Sequence, residues 1–188
     1  VVNVLQAALE LQEFCQSHQW RFCFIGGLAL LRWGEPRETV DVDLTLLTGF
    51  GQEEAFARPL LGHYNARIEN ALEFALSRRV LLLRAGSGVG LDIAFGALPF
   101  EESTIDRSSL FEYPGKAMLR TCSAEDLIVM KAFAARPKDW MDVQGVIVRQ
   151  SATLDWPHIY RQLKPLVEVK GSPEILQELE ARRAEFGK

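Results

Sequence analysis

The sequence predicts an α/β fold of the α+β kind, a small mixed β-sheet flanked by helices and followed by a C-terminal helical segment. Three observations carry that prediction. Short apolar runs bounded by turn residues recur at 21–25, 40–47, 80–84 and 91–95. Longer stretches with apolar residues at helical spacing lie between them. After Arg120 the strand patterns stop and helical patterns follow one another to the end. The sheet-bearing core is therefore expected over residues 1–120, with a helical segment over 121–188 packed on it.

The elements follow in order. Residues 3–17 carry Val4, Leu5, Ala8, Leu9, Leu11 and Phe14 with Gln and Glu between them, the pattern of an amphipathic helix. Residues 21–25 read as a short strand, Gly26-Gly27 as a turn, and residues 28–33 as a brief helix capped by Gly34 and closed off by Pro36. Residues 40–47 are the second strand. A helix disturbed by Pro59 is expected over 53–64, and Ile68, Leu72, Ala75 and Leu76 mark another. Two antiparallel strands, 80–84 and 91–95, flank the glycine-rich "AGSGVG". Ser123 with Asp126 resembles a capping box that opens "AEDLIVMKAFAAR", a helix ended by Pro137. "KDWMDVQGVIVRQ", "WPHIYRQLKPLVE" and "PEILQELEARRAEF" are three further helices. No internal repeat or low-complexity tract is present.

Composition excludes several classes. With 188 residues, 48% of them hydrophobic and 24% charged, the chain is long enough to bury a substantial core. A formal net charge of −4 lacks the basic surplus of a general nucleic-acid coat protein. Cys15, Cys23 and Cys122 are odd in number and widely spaced, which argues against a disulfide framework and a zinc site and fits buried thiols in a cytoplasmic protein. His18, His63 and His158 are equally scattered and read as structural. No signal peptide and no membrane span are expected. Trp20, Trp33, Trp140 and Trp156 are too dispersed for a base-stacking platform.

The strand at 40–47, "VDVDLTLL", poses the chemical question. Alternation puts Asp41, Asp43 and Thr45 on one face and Val40, Val42, Leu44 and Leu46 on the other. Two carboxylates about 7 Å apart repel by about 2 to 3 kcal/mol at an effective dielectric near 20. A half-buried pair of this kind calls for a cation. Asp92 interrupts the strand "GLDIAFG" in the same manner, with the small residues Ala94 and Gly96 on its face. Aligned acidic faces would bring three carboxylates together, the oxygen-rich donor set that hard divalent cations such as Mg²⁺ prefer. Divalent ions between carboxylates and phosphates serve phosphoryl or nucleotidyl transfer. The alternative for these acids is a polar face turned to solvent at the edge of a sheet.

Gly26 and Gly27 stand between a strand and a helix start, where a bare backbone and free amides suit a triphosphate. The pair is neither a G-x-G-x-x-G fingerprint nor a P-loop with its Lys. Arg37, ahead of the acidic strand, is placed either to neutralise phosphate charge or to pair with Glu35 or Glu38. Lys131 is a candidate cation on a helix, against the alternative of a solvated helix face.

Taken together, "IGG" at 25–27, "TVDVDL" at 39–44 and Asp92 in "LDIAF" resemble the polymerase-beta-type nucleotidyltransferase superfamily. Within it, "GGLALLRWGEPRETVDVDL" and "RPKDWMDVQGVI" are similar to small bacterial nucleotidyltransferase-like proteins related to AbiEii-type toxins, so the resemblance covers most of the chain. It implies a nucleotidyltransferase fold with residues 1–120 as the catalytic core. It also implies an enzyme that moves a nucleoside monophosphate from a nucleoside triphosphate, ATP among them, to an acceptor hydroxyl on RNA, protein or a small molecule. By the same resemblance Asp41, Asp43 and Asp92 are catalytic and hold Mg²⁺ or Mn²⁺, with Asp92 near the attacking hydroxyl. Gly26, Gly27, Arg37 and Lys131 contact the nucleotide, and Lys138 and Asp139 match polar residues that related toxins place near it. The position after the glycine pair, often Ser or Thr in the superfamily, is Leu28. That departure motivates the alternative, a weak or inactive nucleotidyltransferase-fold binding module acting through an antitoxin-like protein partner. A glycosyltransferase built on the D-x-D pair is a further rival, and it leaves the glycine turn without a role.

Overall fold

The computed structural model of the protein describes residues 2–187. Helix α1 (Val2–Ser17) precedes strand β1 (Phe22–Phe24), helix α2 (Gly26–Trp33) and strand β2 (Asp41–Leu47). Next come α3 (Glu53–His63), β3 (Asn65–Ala66), α4 (Ala71–Arg78), β4 (Val80–Arg84) and β5 (Gly90–Gly96). Helix α5 (Pro99–Asp106) leads into β6 (Ser109–Tyr113) and β7 (Ala117–Thr121), and the chain ends in α6 (Ala124–Ala134), α7 (Pro137–Gln150), α8 (Trp156–Lys170) and α9 (Glu174–Phe186). The mixed α/β architecture matches the sequence prediction.

The chain forms two compact units, one of Val1–Leu28 with Glu38–Cys122 and a second of Ala29–Arg37 with Ser123–Lys188. The first holds a seven-stranded sheet in the order β3-β4-β5-β2-β1-β7-β6. Strand β2 is parallel to β5 and antiparallel to β1, and β5 is antiparallel to β4, so the sheet is mixed. Val42, Leu44 and Leu46 from β2 and Leu91, Ile93 and Phe95 from β5 are buried on one face, while Asp41, Asp43 and Asp92 are half-buried on the other. The period-2 alternation of the two sequences thus fixes which face packs and which carries the acids.

The second unit is helical. Helix α6 is buried nearly all round, with Leu127, Ile128, Val129 and Ala132 in its core. Its N-terminus is capped by Ser123, whose Oγ accepts the Asp126 backbone N–H at 3.1 Å. His158 on α8 lies 2.8 Å from the Asp126 carboxylate, and both are buried.

Several elements differ from the sequence expectation for physical reasons. The glycine pair opens α2 as its first two residues instead of forming a turn ahead of it. Helix α6 stops at Ala135, whose backbone is left-handed with φ 57° and whose N–H bonds the Lys131 carbonyl at 3.0 Å; Pro137 then starts α7 in the first-turn position it favours. Strands β3, β6 and β7 and helix α5 were not expected. Only Ala117, Leu119 and Thr121 alternate as buried positions in β7, and β6 is mostly exposed, so neither carries a strong apolar signal.

Candidate functional site

Register places the acids. Asp43 is the direct neighbour of Asp92 across the parallel β2–β5 ladder, and Asp41 is the neighbour of Gly90. Direct neighbours share a face, so all three carboxylates occupy one side of the sheet. The Ile25 N–H bonds the Asp43 carbonyl at 3.0 Å, which brings the start of α2 alongside the acidic strand.

Both glycines are required there. Residue 26 has φ +54°, and a β-carbon on it would fall 2.6 Å from the Asp43 carboxylate carbon. A β-carbon on Gly27 would strike Thr39, 2.8 Å from its Cβ. The Gly27 N–H points at Asp43 Oδ2 at 3.4 Å. Thr39 itself is buried and donates to the Asp41 carbonyl at 3.2 Å, which fixes the approach to the acidic strand.

Asp92 is engaged by Arg67, whose guanidinium forms an ion pair with its Oδ1. Burial raises the Asp92 carboxyl above its ordinary value, the Arg67 charge lowers it, the Asp41 charge raises it and the Arg67 hydrogen bond lowers it, with a net rise. The influence of the Asp41 charge on Asp92 is the electrostatic signature of their shared face. Among the described residues, however, no three carboxylate, imidazole or thiol groups form a cluster that could hold a metal ion. Asp41, Asp43 and Asp92 thus share one face of the sheet, with Asp92 paired to Arg67.

A divalent ion still fits the donor set. Mg²⁺ is usually held by one or two protein carboxylates and completes its shell with water and substrate phosphates. Asp41 and Asp43 supply that number without Asp92.

Arg37 and Lys131 belong to the second unit, where they meet at one carboxylate. Asp142 on α7 accepts Arg37 Nε at 3.1 Å and Lys131 Nζ at 2.8 Å. Lys131 also lies 3.3 Å from Asp139, which Arg136 bridges at 2.5 Å. Lys131, Asp139 and Asp142 are all buried. Neither a solvated lysine nor one held only by phosphate describes this arrangement: the Lys131 charge is matched by protein carboxylates. Arg37 also lines a cleft of about 420 Å³ with Pro36, Met141 and Val148. Lys138 is exposed.

Arg67 and Thr39 beside the acids, and Asp142 in the second unit, are given no role by the sequence alone. Arg67 has no sequence signal, since it lies 25 positions from Asp92 in an unpatterned stretch. Thr39 had one in its place two residues before the first acid. Asp142 had a clearer one, because Asp139 and Asp142 share the face of α7 that also buries Val143, Val146 and Ile147, and buried carboxylates need partners.

The sheet, the glycine-opened helix and the acidic strand define a nucleotidyltransferase fold. Solved structures agree. An antigenic nucleotidyltransferase-like protein from Paracoccidioides brasiliensis matches with TM-score 0.52 at 15% identity, over 95% of this chain and 93% of that one. The lincosamide antibiotic adenylyltransferase LnuA, in its lincomycin-bound form, matches with TM-score 0.51 at 13% identity, over 75% of this chain and 94% of that one. At such identities the likeness is one of fold. Among curated proteins none matches. The family model described as "Nucleotidyl transferase AbiEii toxin, Type IV TA system" matches residues 11–186, and the chain belongs to that family. Among the described residues no helix is long and apolar enough to cross a membrane.

Proposed function

We propose that the protein transfers a nucleoside monophosphate from a nucleoside triphosphate to an acceptor hydroxyl. The observation that carries this reading is the pair Asp41 and Asp43, two acids on a strand whose opposite face is apolar, beside a helix whose glycine N–H faces Asp43. Family membership supports the reaction class.

Asp41 and Asp43 would hold Mg²⁺ or Mn²⁺, whose contribution when bound is to neutralise triphosphate charge and stabilise the leaving oxygen. Gly26 and Gly27 would leave the backbone bare for the phosphates at the start of α2, where a helix N-terminus favours anions. The acceptor oxygen attacks the α-phosphorus, the bond to the bridging oxygen breaks, and pyrophosphate departs with that electron pair. Asp92 takes the hydroxyl proton, a role that its half-buried place beside Asp43 permits. Arg37 and Lys131, the cations that the family resemblance assigns to the nucleotide, are held in the second unit by Asp142. Positioning and charge stabilisation carry most of the rate.

The acceptor is RNA, a protein side chain or a small molecule. Incubation with labelled triphosphates, Mg²⁺ or Mn²⁺ and total cell RNA and protein identifies it by which pool acquires label; no label in any pool with any triphosphate counts against the reading.

A second reading, a binding module with weak or lost chemistry that works through an antitoxin-like partner, is favoured by the Arg67–Asp92 pair and by Leu28 after the glycines. Membership of a toxin family supports such a partner. Calorimetric titration separates the two, since a module without chemistry shows no metal-dependent triphosphate binding. The working environment we infer is the cytoplasm, where triphosphates and reduced thiols are both present.

A further inference from the structure

Arg67 follows β3 directly, and its N–H bonds the Leu82 carbonyl at 3.0 Å, extending the ladder by one residue. Leu82 is the neighbour of Asp92 across β4 and β5, and Asp92 is the neighbour of Asp43 across β5 and β2. Arg67, Leu82, Asp92 and Asp43 therefore form one row across four strands. The side chain runs along that row: one terminal nitrogen pairs with Asp92, and the other lies 2.8 Å from where a Gly90 β-carbon would stand. The Asp41 carboxylate crowds the same vacant position, because Gly90 is its partner in the ladder. The absent β-carbon at 90 thus leaves room for both the Arg67 guanidinium and the Asp41 carboxylate.

The rest of the side chain is confined. Its Nε is buried and has no hydrogen-bond partner. Leaving a donor of a charged group unsatisfied is costly, and the ion pair at the tip offsets that cost only while Asp92 remains charged and in place. No element of the reaction proposed above uses this cation.

We propose that Arg67 is a resident counter-cation that holds Asp92 out of the metal's coordination shell, so that the divalent ion loads on Asp41 and Asp43 alone. The inference rests on the proposed metal-dependent reading of the same face. A guanidinium and a divalent cation compete for the same carboxylate, and the permanent charge of Arg67 settles the competition at every working pH. Asp92 is left beside the reacting centre to accept a proton instead of ligating the ion. Withdrawing the positive charge would release Asp92 and create a site with three carboxylates.

Direct Mn²⁺ binding, read by the loss of the free-ion electron paramagnetic resonance signal in the absence of nucleotide, tests this without reference to activity. Arg67→Gln is expected to bind Mn²⁺ about tenfold more tightly than the wild type, from removal of one charge and gain of one ligand. Arg67→Lys, which keeps the charge, stays within about threefold of the wild type. The gain disappears in the double variant Arg67→Gln with Asp92→Asn, a result that general loosening of the loop would not produce. Unfolding midpoints of all variants establish that each is folded, and Arg67→Lys with Asp92→Asn supply the comparison if Arg67→Gln is not. Equal Mn²⁺ affinity in wild type and Arg67→Gln, with binding lost in Asp41→Asn, overturns the role of Arg67 and leaves the metal reading standing. Absence of Mn²⁺ binding in every variant, or binding indifferent to Asp41→Asn, overturns both.

Discussion

Gly26 and Asp43 share a single space: the α-carbon of the glycine lies where only a hydrogen fits beside the carboxylate, and a β-carbon there would stand 2.6 Å from the carboxylate carbon. The backbone at residue 26 is left-handed as well, with φ +54°. Gly26→Ala therefore meets two penalties, and an expected loss of about 2 kcal/mol or more in stability should appear in urea unfolding. Transfer should fall further than stability alone explains, because the displaced carboxylate is Asp43.

The Lys131 network gives a second ordering of effects. Asp142→Ala removes the carboxylate shared by Arg37 and Lys131, and an expected cost of about 3 kcal/mol follows from breaking a buried pair. Lys131→Met costs less, since Asp139 retains Arg136 and Asp142 retains Arg37. Denaturant midpoints of the two variants and their double mutant check both the order and the coupling.

Much of this architecture was legible in the sequence. The acidic face was readable because β2 and β5 alternate around the acids, so that burial of Val42, Leu44 and Ile93 dictates where Asp41, Asp43 and Asp92 must point. Ser123 was readable as a cap because its partner lies three residues on. Arg67 was not, since its meeting with Asp92 depends on a two-residue strand, β3, too short to leave a periodic trace. The status of Lys131 was hidden for the opposite reason: α6 is buried on nearly every side, and amphipathic reasoning assigns a lysine to a solvated face that this helix lacks.

Acid titration of stability should report on Asp139. Burial raises its carboxyl, but hydrogen bonds and charge from Arg136 and Lys131 outweigh that and hold it below the ordinary value of 3.8. A depressed folded-state value contributes stability that is present above the unfolded value and is lost as pH falls through the folded one. The urea midpoint should accordingly drop from about pH 4 downward, and Asp139→Asn should flatten that limb while lowering stability at neutral pH.

The cysteines should be inert in the native state. Cys15, Cys23 and Cys122 are fully buried, and burial pushes the Cys15 thiol up to about 12. An aromatic disulfide reagent at about pH 8 should react with none of them until denaturant is added, and then with all three.

The most direct measurement is transfer of label from an α-labelled triphosphate by the double variant Asp41→Asn with Asp43→Asn, beside the wild type, with Mg²⁺ or Mn²⁺ and the acceptor pool that the wild type labels. Loss of transfer and of metal-dependent triphosphate binding, with an unfolding midpoint equal to or above that of the wild type, is the predicted result, since removing two like charges relieves repulsion on β2. Undiminished transfer by the folded double variant would contradict the central claim that these two carboxylates run the chemistry.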